Sequence, residues 1–553
     1  MGRLRAGLGL LRPISLALFF PLLLPLLSGA ACQGAAAGPP APSSIASIAR
    51  SGSVRPFTEA VAGTAGYLDP LYANEDNARE IDGLIYQGLT RVGADQQAEP
   101  LLASAVAVSA DRLTYTVTLR AGISWADSQP LTVADVLFTF VSLQDPSYNG
   151  PEAAAWKGVT VKQTGDLTVD FALKAPSAAF PLSLRIGIMP QHLFPGGVGS
   201  FPVNPHSGAQ ALGTGPFQVE SISSDRSLVI LKRNPRAVPA PKLDRFIFKG
   251  YGTLVDAAQA VARGEADAVG GPDPTALAPV LHLKGTAVNE IRTFSFASVF
   301  LNIAGDPALF GSPAVRRALT QAIDRQKVID EVLGGRADPQ LGPLPPSDWA
   351  YSAADAGAYG FDPVAAARAF EEAGWTLPGQ ALYRTRGGSD FEVGLVAADA
   401  FPYRQVAASL RTQLLAVGVG VKVSLVPVAQ LVSRYLVGHR YDMALASYDN
   451  GPDPDQFALW HSSQRAYPLN FSNLPKQAFI DKDLEDGRSG ADAAQRRPAY
   501  ADLQKLMADA VPALFLYEPH YLYAVSKRVT GVRINPAIEA PDRFEYVAEW
   551  SIV

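Results

Sequence analysis

Residues 115–143, YTVTLRAGISWADSQPLTVADVLFTFVSL, decide how this chain is read. Tyr115, Val117 and Leu119 alternate with Thr116, Thr118 and Arg120, the period of two expected of a half-buried strand. Ala121-Gly122 breaks that period, and 124–130 is rich in turn residues. Thr132 then stands as an N-cap with Asp135 three residues on, close to a capping box. Val133, Val136, Leu137, Phe140 and Val141 fall on one helical face. Strand, turn and capped helix make a rigid corner, with Trp125 and Asp127 expected in its loop. Nothing in this pattern is catalytic.

Composition sets the bounds. At 553 residues the chain has room for roughly three domains of ordinary size. With 48% apolar residues it can bury large cores. The net charge of −5 gives no reason to expect nucleic acid as a partner. The histidines are scattered, with no HExxH and no His/Cys cluster, so no metal site or cofactor is expected.

The N-terminus reads as an export signal. Arg3, Arg5 and Arg12 precede an apolar run at 14–27 that Pro21 and Pro25 interrupt. That run is shorter than the roughly 20 residues a spanning helix needs. Small residues lead to Cys32, the sole cysteine. Ala30-Ala31-Cys32 resembles a bacterial lipobox, which implies cleavage before Cys32 and its lipidation, although Gly29 sits where Leu is usual. The alternative is a chance cysteine in a leader cut nearby. Residues 33–52 are rich in Ala, Gly, Pro and Ser and read as a flexible tether, with a reach of roughly 25 Å.

The wording of 115–143 is more specific than its physics. It resembles the signature of the family 5 extracellular solute-binding proteins, the dipeptide- and oligopeptide-binding receptors of bacterial ABC importers. Tyr115, Leu119, Arg120, Gly122, Trp125, Asp127, Pro130, Leu131, Thr132, Asp135, Val136 and Phe138 match it; Ser128 replaces the usual Gly. Further phrases agree: Leu68-Asp69-Pro70, IYQGLTRV from Ile85, Gly213-Thr214-Gly215-Pro216, Arg233-Asn234-Pro235, Gly264-Glu265-Ala266-Asp267, VRRALTQAIDRQKVI from Val315, and Tyr441-Asp442 with Asp453-Pro454. The GTGP segment lacks the Gly-Lys-Ser/Thr ending of a phosphate loop.

The resemblance implies an α/β, two-lobed periplasmic-binding-protein fold of type II, in the large peptide-binding subclass with an extra domain. The implied division is 1–32 signal peptide, 33–52 tether, 53–73 with 205–290 and 511–553 as lobe I, 74–204 as the extra domain, and 291–510 as lobe II. Ligand would sit between lobes that close by a hinge. The implied partners are a peptide and an ABC permease. The protein would be a monomer in the periplasm or on the outer face of the membrane, anchored through Cys32.

In peptide-binding members an Asp in a "W.aD" phrase pairs with the peptide α-ammonium. That position is Asp449 here, or Asn450 if the register slips by one at the inserted Pro452; Tyr448 or Ser447 replaces the Trp. Asp449-Asn450-Gly451 is equally a plain tight-turn sequence. Aromatic lining would come from among Tyr67, Trp125, Tyr448 and Trp460, each of which packing alone could also explain. Two other readings stand beside peptide capture. One is a non-peptide solute, such as an oligosaccharide or a chelated metal, on the same fold. The other is a secreted hydrolase, for which no G-x-S-x-G or S-x-x-K constellation is present. The expectation is a binding protein, not an enzyme.

Overall fold

A computed structural model describes residues 56–553, apart from 358 and 471–472. The leader, the tether and Cys32 lie outside the described residues.

Two lobes share one long sheet. Its strand order is Gly420–Val426, Glu392–Ala398, Met443–Asp449, Ser295–Leu301, Ala513–Ser526, Ala268–Gly271, Phe57–Ala62, Arg245–Tyr251, Leu228–Arg233, Phe217–Ile222. Strand Ala513–Ser526 belongs to both halves. Its first part pairs with Ser295–Leu301 and Ala337–Pro339. Its second part pairs with Ala268–Gly271 and Thr286–Arg292. The chain also crosses between halves at 292–295, where Phe294 has φ +61. These two crossovers form the hinge.

The hinge carries crossed ion pairs. Glu290, on the first half's strand Thr286–Arg292, pairs with Arg336 of the second. Asp338 of the second half pairs with Arg292 at 2.6 Å. The His520 ring lies between them, Nδ1 3.0 Å from Glu290 and Nε2 3.1 Å from Asp338. Hydrogen bonding to His520, then to Arg292, holds the Asp338 carboxyl down at about 2.

A separate antiparallel sheet, in the order Ala103–Val108, Thr114–Leu119, Thr168–Ala172, Thr160–Gln163, contains the 115–143 corner. The expected alternation holds, with Tyr115, Val117 and Leu119 buried. Helix Val133–Ser142 starts as read: the Thr132 N–H donates to the Asp135 carboxylate at 2.8 Å. Val133, Val136 and Phe140 are buried, but Val141 is 52% exposed, so the stripe is narrower than the pattern suggested. Trp125 is fully buried rather than presented in the loop. Asp127 is taken by His192 at 2.9 Å and caps Gln129. Ser128 adopts φ +77, the left-handed conformation that explains why Gly is usual at that place.

Local expectations elsewhere shift by small amounts for visible reasons. Helix Asp76–Ile85 stops short of Leu89, which is buried in the loop that follows. Its end is fixed by the GTGP turn: the Gly215 N–H donates to the Ile85 carbonyl at 2.8 Å. A Cβ on Gly213 would lie 1.9 Å from that same carbonyl oxygen. Asp69 is an Asx turn, accepting from the Leu71 N–H at 3.0 Å and the Ser207 hydroxyl at 2.7 Å. VRRALTQAIDRQKVI folds as two helices, Pro313–Gln321 and Arg325–Leu333, with Asp324 capping the second. One apolar cluster runs through both the 103–172 sheet and the sheet around Phe57, Phe246 and Trp550; a second fills the half containing Phe300 and Leu395.

Candidate ligand-binding cleft

The two halves meet where strand Met443–Asp449 ends. Asp449 is paired in register with Ser295, just past the crossover, and the next residue, Asn450, donates its N–H to the Phe294 carbonyl at 3.2 Å. The turn closes on Gly451, whose φ of +66 favours glycine and whose N–H donates to the Asp449 carboxylate at 2.9 Å.

Facing this turn is the C-terminal segment. The Ile538 N–H donates to the Arg292 carbonyl at 3.0 Å, which lays Glu539 and the 3-10 turn Ala540–Phe544 beside the hinge. A Glu539 carboxylate oxygen is 3.8 Å from where a Gly451 Cβ would stand. Arg185 spans Glu539 and Asp542, the latter at 3.3 Å. Arg79, on helix Asp76–Ile85, also acts on Asp449, Glu539 and Asp542.

These groups are ringed by protein yet touch water. The Arg185 side chain is 32% exposed and that of Glu539 15% exposed. Burial, then the neighbouring Glu539, pushes Asp449 up to about 7. Burial likewise lifts Asp542 to about 6. For Glu539, burial is outweighed by Arg185 and Arg79, which hold its carboxyl below the usual range. Burial raises Glu152 too, against the pull of Arg185, and raises Asp76 to about 6 against Arg79. Asp76, Glu152, Asp449, Glu539 and Asp542 thus outnumber Arg79 and Arg185, with Arg543 acting on Asp76 as well.

The sequence candidates sort unevenly. Asp449 and Tyr448 stand at the junction; Tyr448 is half-buried with its ring 5.7 Å from that of Phe296, and burial raises its hydroxyl strongly. Asn450 does not face the cleft with its amide. Its Nδ2 donates to Asp348 at 3.2 Å and to the Asp453 carbonyl at 3.0 Å, so it ties the loop together. Trp125 and Trp460 are core residues, and the Trp460 Nε1 donates to Gln456 at 2.7 Å. Tyr67 is 56% exposed, with the Arg226 guanidinium 4.9 Å above its ring. Arg79, Arg185, Glu539 and Asp542 were not foreseen, because no local pattern links such distant positions.

The family model for bacterial extracellular solute-binding proteins, family 5 Middle, matches residues 97–467. The chain belongs to that family. As a family 5 protein it is similar along most of its length to Protein XP55 of Streptomyces lividans, 29% identical over 92% of each chain. It is 24% identical to the oligopeptide-binding protein AppA of Bacillus subtilis over 85% of this chain and 87% of that one. The solved structure of that AppA, in complex with a nonapeptide, covers 90% of this chain and 98% of its own with a TM-score of 0.72 at 22% identity. NikZ from Campylobacter jejuni, in complex with Ni(L-His), superposes over 90% and 99% with a TM-score of 0.73 at 21% identity. These likenesses establish the two-lobed fold of the family, whose model describes bacterial extracellular solute-binding proteins.

Proposed function

We propose that this chain is the substrate-binding receptor of an ABC transporter, capturing peptides outside the membrane and delivering them unchanged to a permease. The carrying observation is a half-buried carboxylate, Asp449, at the inner edge of one lobe and beside the hinge. An α-ammonium leaving water for a closed cleft needs a charged acceptor there, and the surplus of carboxyls favours a cation. An extended peptide would be held along its backbone like an added strand. The name of the B. subtilis relative supports peptides as the solute class.

Native mass spectrometry of protein purified from rich medium tests this directly, by weighing the bound solute. A population of peptide masses is expected. A single oligosaccharide or metal-chelate mass would overturn the peptide reading while leaving solute capture intact. Asp449→Ala is expected to weaken a free-amine peptide about 10- to 100-fold, the worth of one charge-assisted hydrogen bond. The N-acetylated peptide should lose much less, and equal losses in titration calorimetry would remove Asp449 from this role.

The same reading includes export and anchoring. Cys32 is the lipidation site, and the segment after it tethers the lobes near the permease. Several acyl chains, at about 0.8 kcal/mol per buried methylene, make a durable anchor. Cells fed a labelled fatty acid should label the wild-type chain and leave Cys32→Ser unlabelled and released from the membrane fraction. A labelled Cys32→Ser would refute the assignment.

A further inference from the structure

We propose that Glu539 is a second specificity-determining residue, which with Asp449 holds the ligand's cationic group between the two lobes and so makes closure depend on that cation. The inference rests on the peptide reading above and adds to it a recognition element from the opposite lobe.

The geometry carries it. Asp449 ends a strand of one lobe, and Glu539 lies on the C-terminal segment bonded to Arg292 of the other. The Glu539 carboxylate reaches the Gly451 turn that cradles Asp449. Arg185, the cation nearest at hand, is already shared by Glu539 and Asp542. Among the described residues, no Lys, Arg or His comes within ion-pair distance of Asp449, whose side chain accepts only the Gly451 N–H. Arg79 also acts on Asp449, Glu539 and Asp542, so closing the lobes brings Asp449 and Glu539 together in a cluster whose carboxyls outnumber these two arginines. Like charges in a narrow cleft oppose that approach, and a cation placed between them reverses its sign. A ligand ammonium, with three donors, can bond carboxylates from both sides at once. Ligands lacking a cation would leave the repulsion in place, so discrimination comes from a built-in penalty as well as from new bonds.

Protons supply an independent signature. Without ligand, the mutual repulsion favours a proton on Asp449, whose carboxyl burial and Glu539 push up to about 7. An ammonium stabilises the carboxylate and expels that proton. The sign follows: affinity for a free-amine peptide should rise from pH 5.5 to 7.5, with close to one proton released per ligand at about pH 6.

The test is titration calorimetry of the full mature chain with a free-amine tripeptide and its N-acetylated form, in two buffers of different ionisation enthalpy. Glu539→Gln should weaken the free-amine ligand about tenfold and the acetylated one little, and should reduce proton release. Glu539→Asp, which keeps the charge, should recover part of the discrimination. If Glu539→Gln weakens both ligands alike, or proton release by the wild type is absent, Glu539 is a scaffold residue only and this proposal falls, while the peptide reading stands. If neither tripeptide binds the wild type, the peptide reading itself fails. Wild-type proton release does not depend on any variant folding.

Discussion

Arg543→Met is expected to cost about 3–5 kcal/mol of stability, the scale for removing one partner of a buried ion pair. Arg543 is 1% exposed. Its guanidinium donates to both carboxylate oxygens of Glu80 at 2.7 Å and to Glu59 at 3.1 Å. Glu59 also accepts the Tyr523 hydroxyl at 2.7 Å. Methionine fills much of the volume but leaves two buried carboxyls facing each other. The Glu59 carboxyl already sits at about 7, since burial outweighs Arg543. Without the arginine it would rise further. An acid raised above its unfolded value stabilises fully below that unfolded value, and the benefit is lost as pH rises through the folded one. The deficit should therefore be small near pH 5 and largest near pH 8, as read from thermal midpoints at both. A deficit independent of pH would show that packing, not charge, is what Arg543 supplies. Arg543→Met combined with Glu80→Met should recover part of the loss, because one stranded carboxyl goes with its partner. The same substitution bears on function, since Arg543 anchors the turn that presents Glu539 and Asp542.

How far such features could be read from the chain depends on their range. The strand, turn and helix of 115–143 were legible because their signals are local: a period of two, a turn, and Thr132 with Asp135 three residues on. Whether an aromatic lines a cleft or fills a core is set by segments far away. By sequence Trp125 and Trp460 could equally line a cleft or pack, and the structure buries both. Charge alone does not mark the surface either. Arg316 and Arg317 are neighbours in one helix, yet only Arg316 is buried, donating to the carbonyls of Phe310, Ala510 and Val511. The cleft is the extreme case. Positions 79, 185, 449, 539 and 542 have no spacing that a period could reveal; the hinge crossovers and the C-terminal turn bring them together.

Arg496→Met should be as damaging, again about 3–5 kcal/mol, and should also weaken ligand binding. Arg496 makes a bidentate pair with Asp453 at 2.8 and 2.6 Å and bonds the Gly487 carbonyl at 2.6 Å. Asp453 lies four residues beyond Asp449, and its own carbonyl accepts the Asn450 amide. Asp348, which accepts from the same amide, has its carboxyl raised strongly by burial, and Asp453 adds to that. Arg496 offsets both carboxyls, so its loss would leave them close together without a cation and would loosen the loop that carries Asp449. Arg496→Lys keeps the charge but not the planar fork, and should fall between the wild type and Arg496→Met. The two effects can be separated. If the loop is held by this pair, the double variant Arg496→Met with Asp453→Asn should regain stability without regaining affinity, because the stranded charge is gone but the bidentate anchor is still missing. If affinity returns along with stability, the pair serves only the core, and the loop's position is set by the Asn450 and Gly451 contacts alone.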